Sequence, residues 1–324
     1  MSEQVVLKTD PGVIEVGEAE LALLAGSGAR LVERPCRTED ELLEHGRDAA
    51  AILTLDEPLT ARVIAGLRGC RVIARFGIGV DRVDLEAATA AGIVVTNVPD
   101  YCVDEVSDHA LGLLLAVTRR IVPLDRAVRD GVWDTAAVAG PVRRLRGRRL
   151  GIVGFGRLGR SFAAKAQALG LEVVAYDPNV ADSDIEAAGV RSLSLDALIA
   201  SSDIVSLHAP LTPQTRHLLD RQRIDSLPAG AVLLNTSRGG LVDEDALAAA
   251  LREGRLGGAG LDVFETEPPP RDHPLLGLPN VVVSSHSSHY SLEAGADMRA
   301  KAFGNVARVL RGEAPLSPVN RLRV

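Results

Sequence analysis

Lysine is almost absent from this chain: of its 36 basic residues, only Lys8, Lys165 and Lys301 are lysine. In so arginine-rich a chain, an arginine carries meaning only where its neighbours single it out. Aromatic residues are scarce as well, at 3%, so a core must be built from Ala, Val and Leu within the 46% apolar share. Positive charge is not in excess. A net charge of −7 and a pI near 5.6 argue against nucleic acid or an anionic membrane surface as the main partner. Cys36, Cys70 and Cys102 are odd in number and lack CxxC spacing, which argues against a disulfide framework and points to reduced thiols. Long apolar runs are missing too: HALGLLLAV is far too short to span a bilayer. The opening MSEQVVLKTD shows no basic stretch followed by an apolar one. The expectation is a cytoplasmic protein with no membrane partner.

What the chain does contain is alternation. Its 324 residues suffice for two domains or one large α/β domain. Strand-like runs recur as VVLKT, AAAILTL, RVIARF, GIVVTN, RLGIVGF, LEVVAYD, IVSLHAP, AVLLNTS, GAGLDVF and NVVVSSH. Several are apolar on both faces, as parallel strands covered by helices on either side must be. Between them lie amphipathic stretches. In EVSDHALGLLLAVTRR, one stripe contains Val106, Ala110, Leu113, Leu114 and Val117. DEDALAAALREG is closed by Gly254 at a helix C-terminus. This predicts an α/β fold of doubly wound parallel sheets, two of them in series. Because a glycine-rich fingerprint begins only at Gly154, a separate domain must precede it. A helix expected over residues 291–311 follows the last strand and can return to the first domain. The predicted division is a discontinuous substrate-binding domain, 1–98 plus 290–324, and a nucleotide-binding domain, 99–289.

The fingerprint lies in RLGIVGFGRLGRSFAAKAQALGLEVVAYDP, which combines strand, Gly-x-Gly-x-x-Gly, helix, second strand and terminal acid. Gly154 permits the tight turn, Gly156 lets the backbone approach a pyrophosphate, and Gly159 allows helix and strand to pack closely. The pyrophosphate is expected on the free N–H groups of Arg157 and Leu158 at the positive helix end. Asp177, 18 residues after Gly159, is placed to accept hydrogen bonds from ribose hydroxyls and to repel a 2′-phosphate. The next residues, Pro178 and Asn179, bring no cation. The cofactor expected is NAD (NADH).

In such sheets, ligands bind at the C-terminal ends of strands. Read in order, those ends carry His208, Arg238, Asp262 and Glu267, and His286. Arg238 stands out from the other arginines because Thr236 and Ser237 precede it and Gly239 and Gly240 follow. Small residues let a cofactor and a substrate approach the backbone. An acid, a base and a fixed cation beside a hydride carrier suit oxidation of a secondary alcohol. A histidine takes the hydroxyl proton, a carboxylate favours the protonated imidazole, and a guanidinium grips a carboxylate and polarises the carbonyl oxygen. His286 and His289 stand three apart but lack a third ligand, so no metal site is expected.

With these residues in hand, the chain resembles the D-isomer-specific 2-hydroxyacid dehydrogenases over roughly residues 50–312. The motifs carrying the resemblance are RFGIGVDRVDL, NVPDYCVDEVSDHALGLLLA, GIVGFGRLGR, DIVSLHAPLTPQTRHLL, LLNTSRGGLVDEDAL and GLDVFETEPP. It implies two Rossmann-like domains with a cleft between them and homodimerisation through the nucleotide domain. The partner it implies is a small 2-keto or 2-hydroxy acid. It makes Arg238 the substrate-binding arginine, Glu267 the partner of the catalytic histidine, and His286 the general acid/base. The backbone of Gly77, Ile78 and Gly79, with Arg75 close by, would hold the substrate carboxylate. Cofactor contacts carry over to Val106, His208, Pro210, Thr236, Ser237, Arg238, Asp262, His286 and Ser288. A relative that oxidises formate has glutamine where Glu267 stands, which argues against formate.

One departure concerns HSSHYSLEA, which is similar to the HAAWYSEQA-type segment of the C-terminal-binding-protein branch. His289 stands where that branch has a tryptophan packed against the substrate. It is expected either to line the pocket, by hydrogen bonding or positive charge, or to face solvent at a helix start. Thr54, Leu55, Asp56 and Tyr101 are candidate pocket neighbours, and Trp133 is a candidate dimer anchor. Two alternatives stay open at this point: an NAD(H)-sensing, corepressor-like binding protein, and a dehydrogenase of a phosphonate or phosphite oxyanion held by Arg75, Arg238 and His289.

Overall fold

The computed structural model describes residues 4–322, so the outer ends of the expected domains lie outside it. The chain divides into two compact units, Met1–Tyr101 with Ser291–Val324, and Cys102–Tyr290. Each is built on a wholly parallel sheet.

The first sheet contains β1 (Gln4–Lys8), β2 (Ala29–Glu33), β3 (Ala51–Thr54), β4 (Val72–Arg75) and β5 (Val94–Thr96), in the order β2-β1-β3-β4-β5. Side chains alternate across it as the pleat demands. Val6 and Leu53 pack on one face with Met298, Ala302, Phe303 and Val306 of the helix Leu292–Leu310. Leu7, Ile52 and Ile73 pack on the other with Leu42, Val63 and Ile64. Burying a side chain such as Phe303 contributes about 2–3 kcal/mol. The helix starts at Ser291, whose hydroxyl accepts the Ala294 N–H at 2.9 Å. The C-terminal segment then covers the open edge of β5: Val319 N–H donates to Val95 O, and Asn320 Oδ1 accepts Val95 N–H.

Asp10, just past β1, is buried, with Lys8 Nζ 3.7 Å from its Oδ1. Burial, reinforced by Glu57 and Glu33, outweighs Lys8 and pushes its carboxyl from 3.8 up to about 6. The folded state thus holds this proton more tightly than the unfolded chain. The contribution to stability is complete below about pH 4 and is lost as pH rises through 6. Asp10→Asn should therefore be more stable than the parent at pH 8, by about 3 kcal/mol, with the difference shrinking towards pH 4. Urea unfolding at several pH values reads this; parallel stability curves would count against it.

The second sheet contains β6 (Arg149–Val153), β7 (Glu172–Tyr176), β8 (Arg191–Ser192), β9 (Ile204–Leu207), β10 (Val232–Asn235), β11 (Gly258–Leu261) and β12 (Val281–Val283). Their order is β12-β11-β10-β9-β6-β7-β8. Chain order reverses between β6 and β9, and ligands bind at the strand ends beside such a reversal. The helix Val103–Thr118 buries the expected stripe, Val106, Ala110, Leu113, Leu114 and Val117, together with Ser107. The helix Glu244–Arg252 is capped by Asp243, which accepts Ala246 N–H at 2.9 Å, and Gly254 follows its end at φ +72°. Two strands escaped the reading of the sequence. β2 is a half-exposed edge whose ARLVE mixes charge with apolar residues, and β8 is only two residues long.

Candidate active site

The glycine loop sits at the point of strand reversal. Gly154, at φ +95°, takes a backbone conformation other residues rarely adopt, and a Cβ there would lie 2.6 Å from the His208 carbonyl. A Cβ on Gly159 would overlap the Gly154 carbonyl oxygen, so helix and loop meet only because both residues are glycine. Gly156 begins the helix Arg157–Ala168, and nothing lies within 4 Å of where its Cβ would be. The first-turn N–H groups, those of Arg157 and Leu158 among them, have no acceptor within the helix and face this open cradle. Asp177 Oδ2 accepts Phe155 N–H and Oδ1 accepts Asn179 N–H, both at 2.8 Å. The carboxylate braces the glycine loop, and each oxygen keeps a second lone pair for a ribose hydroxyl.

Further along the rim, His208 Nε2 meets Ser206 Oγ at 2.8 Å, and its ring packs on Phe162. Burial pushes His208 down to about 4, so it is neutral at physiological pH. Pro210 beyond it is exposed. Ser237 Oγ donates to Leu207 O at 2.8 Å. Thr236 Oγ1 and His208 Nδ1 are buried without a hydrogen-bond partner among the described residues, which is where a bound molecule's polar groups can satisfy them. A glycine cradle at a helix start, a free acidic acceptor and two orphaned polar atoms fit a dinucleotide.

The candidate acid–base residues stand on neighbouring strand ends. His286, after β12, has φ +52°, and its N–H donates to Asp262 O at 2.7 Å. Its Nδ1 lies 2.7 Å from Glu267 Oε2, while Glu267 Oε1 accepts Phe264 N–H at 2.9 Å. Burial pushes the Glu267 carboxyl up, but the His286 and Phe264 hydrogen bonds and the charges of His286 and Arg238 more than offset it. The group is held below the usual carboxylate range. An ionised Glu267 can only accept, so His286 Nδ1 carries the hydrogen, and Nε2 is left to exchange a proton. Arg238 follows β10, its Nη1 donating to Ser237 O at 2.8 Å. The structure thus brings Arg238, Glu267 and His286 into one electrostatic group.

Asp262 is buried, and both its oxygens face the turn that carries His286. Oδ1 accepts Ser284 Oγ–H at 2.6 Å and Ser287 N–H at 2.9 Å, and Oδ2 accepts Ser288 N–H at 2.9 Å. Burial alone would raise its carboxyl; these hydrogen bonds reverse that and hold it low. Its visible work is to wind residues 284–288 around a fixed anion. His289 is half-buried, edge-on to His286 with ring centres 6.2 Å apart. Burial and the neighbouring His286 push it below the ordinary histidine range. The shift works against the positive charge considered for His289.

Arg75, Gly77, Ile78 and Gly79 belong to the first unit. Arg75 ends β4 and is buried. The loop after it is held by Val98 N–H to Gly77 O at 2.9 Å and Asn97 Nδ2 to Ile78 O at 2.7 Å. Thr54 donates to Glu57 Oε2 at 2.7 Å, bracing the turn that contains Leu55 and Asp56. The residues that pin the Glu267 loop carry no signal in the sequence. Glu244 accepts Glu265 N–H at 2.8 Å and lies 3.0 Å from His273 Nε2, and Arg216 pairs with the Glu265 carboxylate. The same is true of Ser284. No local pattern marks such residues, because their partners lie some 20–50 positions away.

Comparisons with known proteins agree with this geometry. Residues 111–288 match the model of the NAD-binding domain of the D-isomer-specific 2-hydroxyacid dehydrogenases. A glyoxylate reductase of Korarchaeum cryptofilum is 39% identical over 285 residues, covering 86% of this chain and 85% of that protein. A D-3-phosphoglycerate dehydrogenase of Methanocaldococcus jannaschii is 38% identical over 94% of this chain, but the match spans only 56% of its own length. Among solved structures, a glyoxylate reductase from Paecilomyes thermophila superposes with a TM-score of 0.88 at 30% identity, covering 98% of this chain and 99% of that one.

Proposed function

The chain belongs to the D-isomer-specific 2-hydroxyacid dehydrogenase family, and from that premise we propose which of its residues do the chemistry and on what. It is an NAD-dependent oxidoreductase that interconverts a D-2-hydroxy acid and its 2-keto acid. NADH, when bound, supplies the hydride for reduction. His286 Nε2 gives a proton to the keto oxygen as carbon 2 is reduced, and takes the hydroxyl proton in the reverse direction. Glu267 fixes the tautomer that leaves Nε2 available and stabilises the imidazolium. Arg238 binds the substrate carboxylate and polarises the carbonyl. Arg75 and the backbone of Gly77, Ile78 and Gly79 are the first unit's substrate residues, the role their family motif carries. The glycine loop, Asp177, His208, Pro210, Thr236, Ser237 and Ser288 serve the cofactor. The observation that carries this reading is the 2.7 Å pairing of His286 Nδ1 with an ionised Glu267 in the field of Arg238.

The substrate proposed first is a short 2-keto acid of the glyoxylate kind. A relative of that name matches along most of its length, and burial works against a charged His289 that could hold an anionic tail. NADH absorbance over a panel of short, aromatic, dicarboxylic and phosphonate-bearing 2-keto acids tests this. Fastest turnover of the short members is expected. Tight NADH binding with no turnover of any member would favour an NAD(H)-sensing protein instead.

We further propose a cytoplasmic homodimer. The helix Ile121–Arg129 buries none of its residues; Ile121 and Val128 on it and Val132 just past it stand half-exposed, and Trp133 is 89% exposed. Such an apolar patch favours association. Sedimentation should give twice the 34.1 kDa chain mass. Trp133→Glu should shift the protein towards the monomer; a parent that sediments as a monomer would refute the proposal.

A further inference from the structure

We propose that His109, on the helix Val103–Thr118, is a positioning residue for the acid–base histidine, acting through the hydroxyl of Ser284. This rests on the reading of His286 given above. His109 Nε2 lies 2.7 Å from Ser284 Oγ and 3.6 Å from Asp262 Oδ1. Ser284 Oγ is also 2.6 Å from Asp262 Oδ1, and an ionised carboxylate can only accept. The single hydroxyl hydrogen of Ser284 therefore points to Asp262, and towards His109 the oxygen can only accept. His109 must carry its hydrogen on Nε2. The result is a one-way chain, His109 N–H to Ser284 O–H to Asp262.

The end of that chain is the turn holding His286. Asp262 accepts the N–H groups of Ser287 and Ser288, and its own carbonyl accepts that of His286. These bonds hold His286 at φ +52°, a left-handed conformation costing about 1–2 kcal/mol for a residue with a Cβ. Without the Ser284 donor, Asp262 Oδ1 keeps one partner fewer, and the turn has less to hold it in that conformation.

The helix is close enough to reach this chain for a reason written in β11. A Cβ on Gly258 would lie 2.7 Å from Val117 Cγ1, and one on Gly260 would lie 2.9 Å from Leu113 Cβ. The two glycines let the helix lie directly on the strand that leads to Asp262. Its buried residues Ala110, Leu113, Leu114 and Val117 anchor it there. His109 is thereby a donor on a rigid element rather than on a loop.

The test compares H109L, H109Q, S284A and the double variant H109L/S284A, with H286A as reference. Each is assayed with the 2-keto acid turned over fastest, and its thermal midpoint is recorded. H109L removes the donor, and H109Q keeps an N–H at similar reach. H109L should lower kcat about tenfold with the KM for NADH within about twofold, and H109Q should recover to within about threefold of the parent. S284A should match H109L, and the double variant should be no worse than either, because all three break one chain. Should H109L fail to fold, S284A, which removes one oxygen, carries the same prediction. A kcat for H109L within about twofold of the parent would overturn the proposal, as would H109Q falling as far as H109L, which would make the ring a space-filler. If H286A is inactive while the His109 variants are normal, only this inference fails. If H286A turns over normally, the reading of the site fails first.

Discussion

Gly239→Ala should lower kcat/KM by about a hundredfold and destabilise the protein by about 3 kcal/mol, although it adds one methyl group and no charge. A Cβ on Gly239 would overlap the backbone of Phe264 and Glu265. No flexible side chain stands there to move aside, so one main chain must retreat from the other. Those two segments carry Arg238 on one side and Glu267 on the other. The Phe264 N–H held by Glu267 Oε1 lies on the adjoining peptide, one Cα away from the carbonyl that would be displaced. A shift near 1 Å in a reacting constellation can cost about a hundredfold in rate, and forcing atoms into a packed site costs about 1–3 kcal/mol or more. Gly277→Ala is the control, because no atom lies within 4 Å of its Cβ position and its backbone is unstrained. It should leave activity and the urea midpoint unchanged. Equal behaviour of the two variants would mean that the loop tolerates displacement and that its register does not set the site.

The same glycine marks how far the sequence could be read. TSRGG was recognisable as a place where backbone must come close to something, but what comes close is a loop 25 residues further on. Strands buried on both faces, such as AILT and VLLN, were legible because a parallel sheet between helices requires continuous apolar runs. The edge strand ARLVE was not, since half its surface faces water and its charges break the pattern. The chemistry of the rim was legible from polar residues placed directly after apolar strands. The positions of Arg238, Glu267 and His286 relative to one another were not, because distances between strand ends depend on strand order. Asp262 shows the limit most clearly. Its place after β11 marked it as a rim residue, but not that its oxygens also hold the His286 turn, a task that exists only once Ser284, Ser287 and Ser288 fold back on it.

Replacing His286 by alanine should have the larger effect, on the order of a hundredfold or more in kcat, the range that a positioned proton donor contributes. None of Glu267, His208 and His289 is suited to take over the proton. Glu267 is held in its ionised form. His208 is part-buried and neutral, with its Nε2 committed to Ser206. His289 is pushed below its ordinary range, and its ring lies 6.2 Å from the position that His286 vacates. The glycine loop and Asp177, which are assigned to the cofactor, are untouched by the change, so NADH should bind as before.

The chemistry of this site reduces to one imidazole nitrogen, freed for proton exchange because a negative neighbour occupies the other. The decisive measurement is turnover by H286A alongside its NADH dissociation constant. Catalysis at a hundredth of the parent rate or less with unaltered coenzyme binding is the predicted outcome, and full turnover would remove the proton-transfer role altogether.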